Sequence, residues 1–522
     1  MHLSLIDFGV IIAYGILIFT LAQLALRQRP DPENEQGPIP FGRNLPWWAI
    51  GTSLIAANIS AEQIIGMSGS GYAIGLGVAS YEWMSAAALL VVAKYFLPVF
   101  LRNRIHTMPE FLKRRFGTRI QFVMAVFWIA LYVFVNLSAI LWLGATAVHA
   151  VAGLSMETSL IVLTVLAGNY ALLGGFRSAA LTDVVQVSML AIGGIVILVM
   201  ALERISGGGT LEGLRLLMAR APDHFHMILK PDNHFYKYLP GLSVIAGGMW
   251  IMNLSYWGFN QSIVQGALSA RSVAEAQNGI VLAAFLKLLM PVVVVMPGIA
   301  AVLLVPNLAH PDQAYPALML LLPSGLLGLA FVALIAAIIA SMGSTVHSIT
   351  TIFTDDLLRT LRPGVGRRMQ MIARRAMGIF VLVAAMVAAK PLLGNFDQAF
   401  QYIQDFTGFL TPGIVAIFLL GMAWRRTTEN GAMAAAVGSV VFSYLLWNHW
   451  PHIEAIGQIP FLHRVGIVFL ICLALAAIVS FTEKPRARII DFDGIDYSTG
   501  KTFNAAAVLV VATLVALYAA FW

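Results

Sequence analysis

The sequence predicts an all-α integral membrane protein of about fourteen transmembrane helices, some of them discontinuous. Three observations carry that fold class. Of 522 residues, 59% are hydrophobic and 11% charged, where a soluble domain has roughly 25% charged residues. Apolar runs reach the roughly 20 residues that a helix needs to span a bilayer, and they lack the alternation of a membrane barrel. Several runs are broken by polar and glycine-rich stretches, which hydrocarbon tolerates only where backbone lines a cavity.

The expected spans lie at about 5–26, 45–72, 78–101, 120–151, 155–173, 181–202, 239–264, 278–304, 326–353, 376–393, 396–422, 432–447, 465–481 and 503–522. The first has no basic leader and no small-residue cleavage site, so it reads as a retained span. The formal charge is 32 − 25 = +7. Its basic residues cluster in short loops between spans, which reports topology and gives no footprint for nucleic acid. Arg102, Arg104, Lys113, Arg114, Arg115 and Arg119 follow the third span, and Arg359 to Arg375 supplies six more after the ninth. Arg425, Arg426, Lys484, Arg486 and Arg488 fall on the same side under alternating counting. That side is expected to be cytoplasmic, with both termini facing outward across a cell inner (plasma) membrane. The segment 203–238, on the other side, is expected to form short amphipathic helices. Cys472 is the sole cysteine, which excludes an internal disulfide and a multi-cysteine metal site.

The stretch LIAANISAEQIIGMSGS, Leu54 to Ser70, interrupts the second span with Asn58, Ser60, Glu62, Gln63 and Ser68. A glycine-rich packing helix would explain its small residues but not its amides and carboxylate. Unwinding near Ala56 to Ile59 would free carbonyls for a small cation, as in the first core helix of a secondary transporter. A second interrupted helix is expected at Met249 to Gln261, where Asn253, Tyr256, Trp257 and Asn260 form a polar-aromatic stripe. In the eleventh span, Thr411-Pro412-Gly413 predicts a bend.

Glu82 and Ser85 lie one turn apart in the third span, and Lys287 sits deep in the eighth. Charges at that depth are costly and are either paired or functional. Two readings are open: a structural Glu82–Lys287 ion pair, or part of a ring of donors and acceptors for a neutral polyol. Asp183, at the start of the sixth span, is either on a cation exit path or a carboxylate at a helix N-terminus, the latter favoured. Ser341, Ser344 and Ser348 form a stripe on the ninth span that packs helices or contributes hydroxyls to a cation cage. No nucleotide loop, metal cluster or nucleophile–base pair suggests an enzyme.

The strings NLPWWAIGTSLIAANISAEQIIGMSGSGYAIGLGVASYEWMS, NLSYWGFNQ, AAFLKLLMPVVVVMPGIAA, TIFTDDLL and QAFQYIQDFTGFLTPGIVAIFLLGMAW closely resemble the sodium/solute symporter family, in its sodium–glucose cotransporter branch. The resemblance runs from about 44 to 430. It implies a five-plus-five inverted-repeat (LeuT-like) core over 44–430, with a peripheral span and cytoplasmic loop at 1–43 and C-terminal peripheral spans at 431–522. It implies sodium-coupled symport of a hexose by alternating access, with no cofactor beyond the sodium ion. The family's sugar ligands fall on Gln63, Glu82, Ser85, Asn253, Lys287 and Gln404. Met67, Tyr81 and Phe400 would close the outer side, Tyr256 and Trp257 the inner, with Asn58 linking the helix break to that inner gate. The sodium ligands correspond to Ala56, Ile59, Ala337 and Ser341, but Ala340 stands where the family has a second hydroxyl. Loss of that oxygen leaves proton-coupled or uncoupled sugar transport as the alternative, and a sugar sensor or leak channel as a remoter one. Gly266 replaces an arginine of the branch and is expected to affect a cytoplasmic helix end.

Overall fold

The computed structural model describes residues 3–27, 46–105, 107–173, 176–260, 267, 270–394, 396–448, 459–484, 490, 492 and 494–522, with side chains except at 18–19, 21–27, 172–173 and 176–187. Nine helices among these residues are long and apolar enough to cross a membrane, and the bent pair Ala399–Thr407 and Thr411–Ala423 makes a tenth. The other expected spans fall on Leu5–Arg27, Trp47–Asn58 with Met67–Ala73, Met156–Leu173 and Gly248–Phe259. Between the sixth and seventh expected spans lies the short helix Thr210–Arg220, followed by single turns at Pro222–Phe225 and His234–Lys237. Gly266 lies outside the described residues.

Helix–helix approach at the centre is set by small residues. Trp47–Asn58 packs along Val273–Val294, where a side chain on Gly51 would come within 2.6 Å of the Gly279 carbonyl. Without glycine at both positions the two backbones could not meet this closely. The start of the pair is tied by Glu275, whose Oε2 accepts the Trp47 N–H at 2.6 Å, while Ser272 caps the Glu275 N–H at 3.2 Å. At the arginine-rich end, Arg115 is buried and donates to the carbonyls of Gly421 (2.7 Å), Trp424 (3.1 Å) and Thr427 (3.3 Å). It satisfies carbonyls that the end of Thr411–Ala423 leaves over, so this loop arginine has a structural task beside its topological one. Leu5–Arg27 is joined to Leu326–Thr351 through buried Asp7, which accepts the Gly325 and Gly328 N–H groups at 2.7 and 2.8 Å.

The predicted interruptions are present but shifted. Trp47–Asn58 ends at Ile59, whose backbone is extended (φ −72°, ψ 113°), and the chain resumes as a wide π turn over Glu62–Gly66. Ala56 is therefore still helical, and the break falls at Ile59–Ser60. It frees the Ala56 to Asn58 carbonyls because they belong to the last turn of a helix. The eleventh expected span turns by 44° between Thr407 and Thr411, so Pro412 occupies the first turn of the second half, where its missing N–H costs nothing. The helix Gly248–Phe259 ends inside the expected stretch, at Asn260, whose backbone is extended (φ −84°, ψ 124°). A further irregular residue, Gly247, separates it from Ser243–Ala246. Residue 261 and those up to 266 lie outside the described residues.

Candidate substrate-binding site

Five elements bring most of the polar side chains to one internal cavity. The π turn Glu62–Gly66 contributes Glu62 and Gln63, and Leu76–Arg102 contributes Tyr81, Glu82 and Ser85. Gly248–Phe259 brings Asn253, Tyr256 and Trp257, Val273–Val294 brings Lys287, and Ala399–Thr407 brings Phe400 and Gln404. All six residues expected to bind the substrate line it, as does Asn58. The break positions the first two: Ser60 Oγ accepts the Glu62 N–H and donates to Gln63 Oε1, both at 3.2 Å.

The polar groups satisfy one another across the cavity. Lys287, 1% exposed, lies with its Nζ 2.5 Å from Glu82 Oε2, donates also to Asn58 Oδ1, and stands 5.0 Å from the centre of the Trp257 ring. Asn58 Nδ2 in turn donates to the Tyr256 hydroxyl at 3.0 Å. The Ser85 hydroxyl lies 2.5 Å from Asn253 Oδ1, and Gln404 Nε2 donates to Glu62 Oε1 at 3.4 Å. The ion pair is thus part of the polar ring that lines the cavity. A buried ammonium is tolerable only with a carboxylate beside it, and this pair also faces the cavity, where its remaining lone pairs and protons are available to a solute.

The cavity is shut at one end. Tyr81 and Phe400 meet edge to face with centroids 5.0 Å apart, and both are buried, as is Met67. Phe400 can lie against the broken helix because Gly66 offers no side chain; a Cβ there would meet Phe400 Cβ at 3.2 Å. Asp312 Oδ2 accepts the Ala399 N–H at 2.8 Å, and Ser70 donates to Gln398 Oε1 at 2.8 Å, fixing the start of the helix that carries Phe400. In the other direction the lining continues through Asn136, Asn260, Thr407 and Thr411. Along 399–423 the lining runs from Phe400 through Gln404 and Thr407 to Thr411, in the direction of Arg425, and Tyr256, Gln404, Asn260 and Thr407 are half-buried. The half-buried lining residues Gln404 and Thr407 thus lie on the Arg425 side of Phe400 along the chain.

The residues expected to hold a cation lie on two elements, Trp47–Asn58 with the break that follows it and Leu326–Thr351. Ala56 and Ser341 are half-buried, while Ile59 and Ala337 are buried. Leu326–Thr351, which carries Ala337, Ala340 and Ser341, packs mainly on Leu5–Arg27, Met156–Leu173 and Phe176–Ser206, and Trp47–Asn58 is not among its principal neighbours. Ser344 is exposed. The side chain of Asp183 lies outside the described residues. Glu62 and Asn260, from the two polar stretches, also line the cavity, as do Tyr132 and Asn136, which the sequence does not single out; Tyr132 donates to Asn260 Oδ1 at 3.1 Å. Tyr132 and Asn136 lie on a second π segment, Tyr132–Leu137. An amide in mid-span was the available signal; the widened turn that aims it was not visible.

Comparison with known proteins follows the same lines. A profile of the sodium:solute symporter family matches residues 40–438. The chain is 41% identical to a sodium/glucose cotransporter of Vibrio parahaemolyticus, over 100% of this chain and 99% of the relative. It is 32% identical to the mouse (Mus musculus) sodium/myo-inositol cotransporter 2, over 83% of this chain and 68% of that one. A sodium-coupled sialic acid symporter solved in a substrate-bound, outward-open state superposes with a TM-score of 0.76 at 19% identity, covering 93% of this chain and 99% of that one. At that identity the likeness is one of fold, and it bears out the LeuT-like class. With a polar cavity at a helix break and a family profile matching most of its length, the chain belongs to the sodium:solute symporter family.

Proposed function

We propose that the protein couples sodium entry to uptake of a neutral hexose, galactose- or glucose-like, by alternating access. The observation that carries this reading is the convergence of Gln63, Glu82, Ser85, Asn253, Lys287 and Gln404 on one cavity, in a chain similar over its full length to a sodium/glucose cotransporter. Glu82 accepts from sugar hydroxyls, Lys287 donates, and the amides do both, which suits an uncharged polyol whose hydroxyls are all donors and acceptors. Tyr256 covers the apolar face of the ring. Met67, Tyr81 and Phe400 form the outer gate, Tyr256 and Trp257 the inner one.

Sodium is a co-substrate. The Ala56 and Ile59 carbonyls, with the Ala337 carbonyl and Ser341 hydroxyl, are its ligands when the broken helix and Leu326–Thr351 approach. The positive-inside rule makes the arginine-rich end cytoplasmic, and in this reading the path past Gln404 and Thr407 toward Thr411 is the inward one. In this reading the termini face outward from a bacterial-type inner membrane, and residues 44–430 are the moving core.

The test is uptake of labelled glucose and galactose into proteoliposomes under an inward sodium gradient, with choline as control. Accumulation above the external concentration with sodium alone is expected. Equilibration indifferent to sodium would overturn the coupling and keep the sugar site. Absence of saturable uptake of either sugar would overturn both.

A further inference from the structure

The helix Phe461–Phe481 begins beyond the region matched by the family profile, yet its first turn grips two walls of the cavity. Leu462 lies against Gly248, at the start of the helix that carries Asn253 and Tyr256. His463 Nε2 is 2.7 Å from the Ser243 hydroxyl, just before that helix. Arg464, only 4% exposed, reaches the other wall: its Nη2 donates to Asp405 Oδ1 at 2.7 Å and to the Asp405 carbonyl at 3.0 Å. Its guanidinium also stacks over Phe409, 4.7 Å from the ring centre.

Asp405 follows Gln404 directly, in the last turn of Ala399–Thr407. The carbonyls of that turn can be accounted for one by one. Gln404 O accepts the Gly408 N–H at 3.0 Å, Phe406 O the Phe409 N–H at 3.1 Å, and Thr407 O the Leu410 N–H at 3.1 Å. The Asp405 carbonyl is taken by Arg464 instead. A guanidinium at a helix C-terminus also opposes the negative end of the helix dipole. The chain then turns by 44° into Thr411–Ala423, with Gly408 close against Val465, where a Cβ would lie 3.0 Å from Cγ2.

We infer that Arg464 is a positioning residue: by holding both the carboxylate and the carbonyl of Asp405, it fixes the end of this helix so that Gln404 is presented to the substrate. A peripheral helix thereby sets the affinity of the site in the core. The inference rests on the reading of Gln404 as a sugar ligand, and the experiment separates the two.

Sugar affinity is measured by equilibrium binding to purified protein, with KM and kcat from proteoliposome uptake, for Arg464→Met, Gln404→Ala and the double variant. Monodispersity and melting temperature verify folding. Arg464→Met is expected to raise Kd and KM by roughly three- to tenfold with little change in kcat. In the Gln404→Ala background it should add nothing, because the group it positions is gone. Arg464→Lys keeps the charge but not the fork that spans two acceptors, and should recover only part of the loss. If Arg464→Met fails to fold, Asp405→Asn, which keeps the carbonyl contact, is expected to raise Kd by a smaller factor that also vanishes in the Gln404→Ala background. Wild-type affinity in folded Arg464→Met, or in Asp405→Asn where the former does not fold, overturns the inference alone. So do effects that multiply in the double variant. Wild-type affinity in Gln404→Ala overturns the placing of Gln404 in the site, and the inference with it.

Discussion

Lys287 and Glu82 form a buried pair, with side chains 1% and 4% exposed, inside the cavity rather than behind it. Removing one partner leaves the other charged and uncompensated, which typically costs about 3–5 kcal/mol, whereas replacing both with neutral groups of similar shape costs far less. Glu82→Gln or Lys287→Met alone is therefore expected to lower the melting temperature sharply, and the double variant to recover most of it. Sugar binding should be lost in all three. A double variant that is stable and still binds sugar would reduce the pair to a structural strut. The sodium side has its own residue-scale prediction. Ala340→Ser restores a hydroxyl beside Ser341, and because a hard cation gains from each added oxygen, sodium affinity should rise in a titration of sodium-dependent uptake. An unchanged midpoint would mean that the cage is built from other groups. The two charges were legible in the sequence from their depth alone. Their partners were not: Asn58 joins Lys287 to Tyr256 across three helices distant in sequence, and nothing in the local pattern of any of them states that.

At the scale of elements, the closed end depends on how closely three segments approach. Met67–Ala73 meets the single turn Pro311–Gln313 at Gly69, where a Cβ would stand 2.5 Å from Asp312 Oδ1. Asp312 in turn holds the Ala399 N–H, one residue before Phe400. Gly69→Val is expected to push Asp312 off this contact, cost about 1–3 kcal/mol by overpacking, and loosen the seat of Phe400 against Tyr81. The readout is a cysteine at cavity-lining Ile403, labelled by an impermeant thiol reagent. Labelling from the side away from the arginine-rich loops should accelerate in Gly69→Val; an unchanged rate would show that closure there does not depend on Asp312. Native Cys472 is buried and should add little background. The sequence announced this helix break through its amides and carboxylate, yet placed it a little early, since composition marks a polar stretch and not the residue whose ψ turns extended. The end of Gly248–Phe259 at Asn260 does fall inside the polar-aromatic stretch. Period-four polarity describes which face meets a cavity, and it gave no sign of the irregular Gly247 before that helix.

For the whole molecule, the informative asymmetry is that Tyr81 and Phe400 meet edge to face at the cavity wall while Gln404 and Thr407, further along the chain toward Arg425, are half-buried. The expected cation ligands lie on two elements that are not principal neighbours in this arrangement. If sodium draws Leu326–Thr351 and the break at Ile59 together, it does so only in the state in which the inward path narrows. The sugar would favour the same state, because its ligands on the π turn follow that break by three residues. Neither ligand can shift the equilibrium by more than its difference in affinity between the two states. Linkage then fixes the outcome quantitatively: the factor by which saturating sodium tightens sugar binding must equal the factor by which saturating sugar tightens sodium binding. Couplings of about 1–3 kcal/mol, or roughly 5–150-fold, are typical. Paired equilibrium titrations on purified protein, each ligand with and without the other, give both factors. A cysteine at Thr407, on the inward path, should lose reactivity toward a thiol reagent from the arginine-rich side when both ligands are present. Tightening in both titrations with Thr407→Cys fully reactive would place the coupled state elsewhere on the cycle. No tightening in either would mean that sodium does not select the conformation that holds the sugar, and alternating access would then run without it.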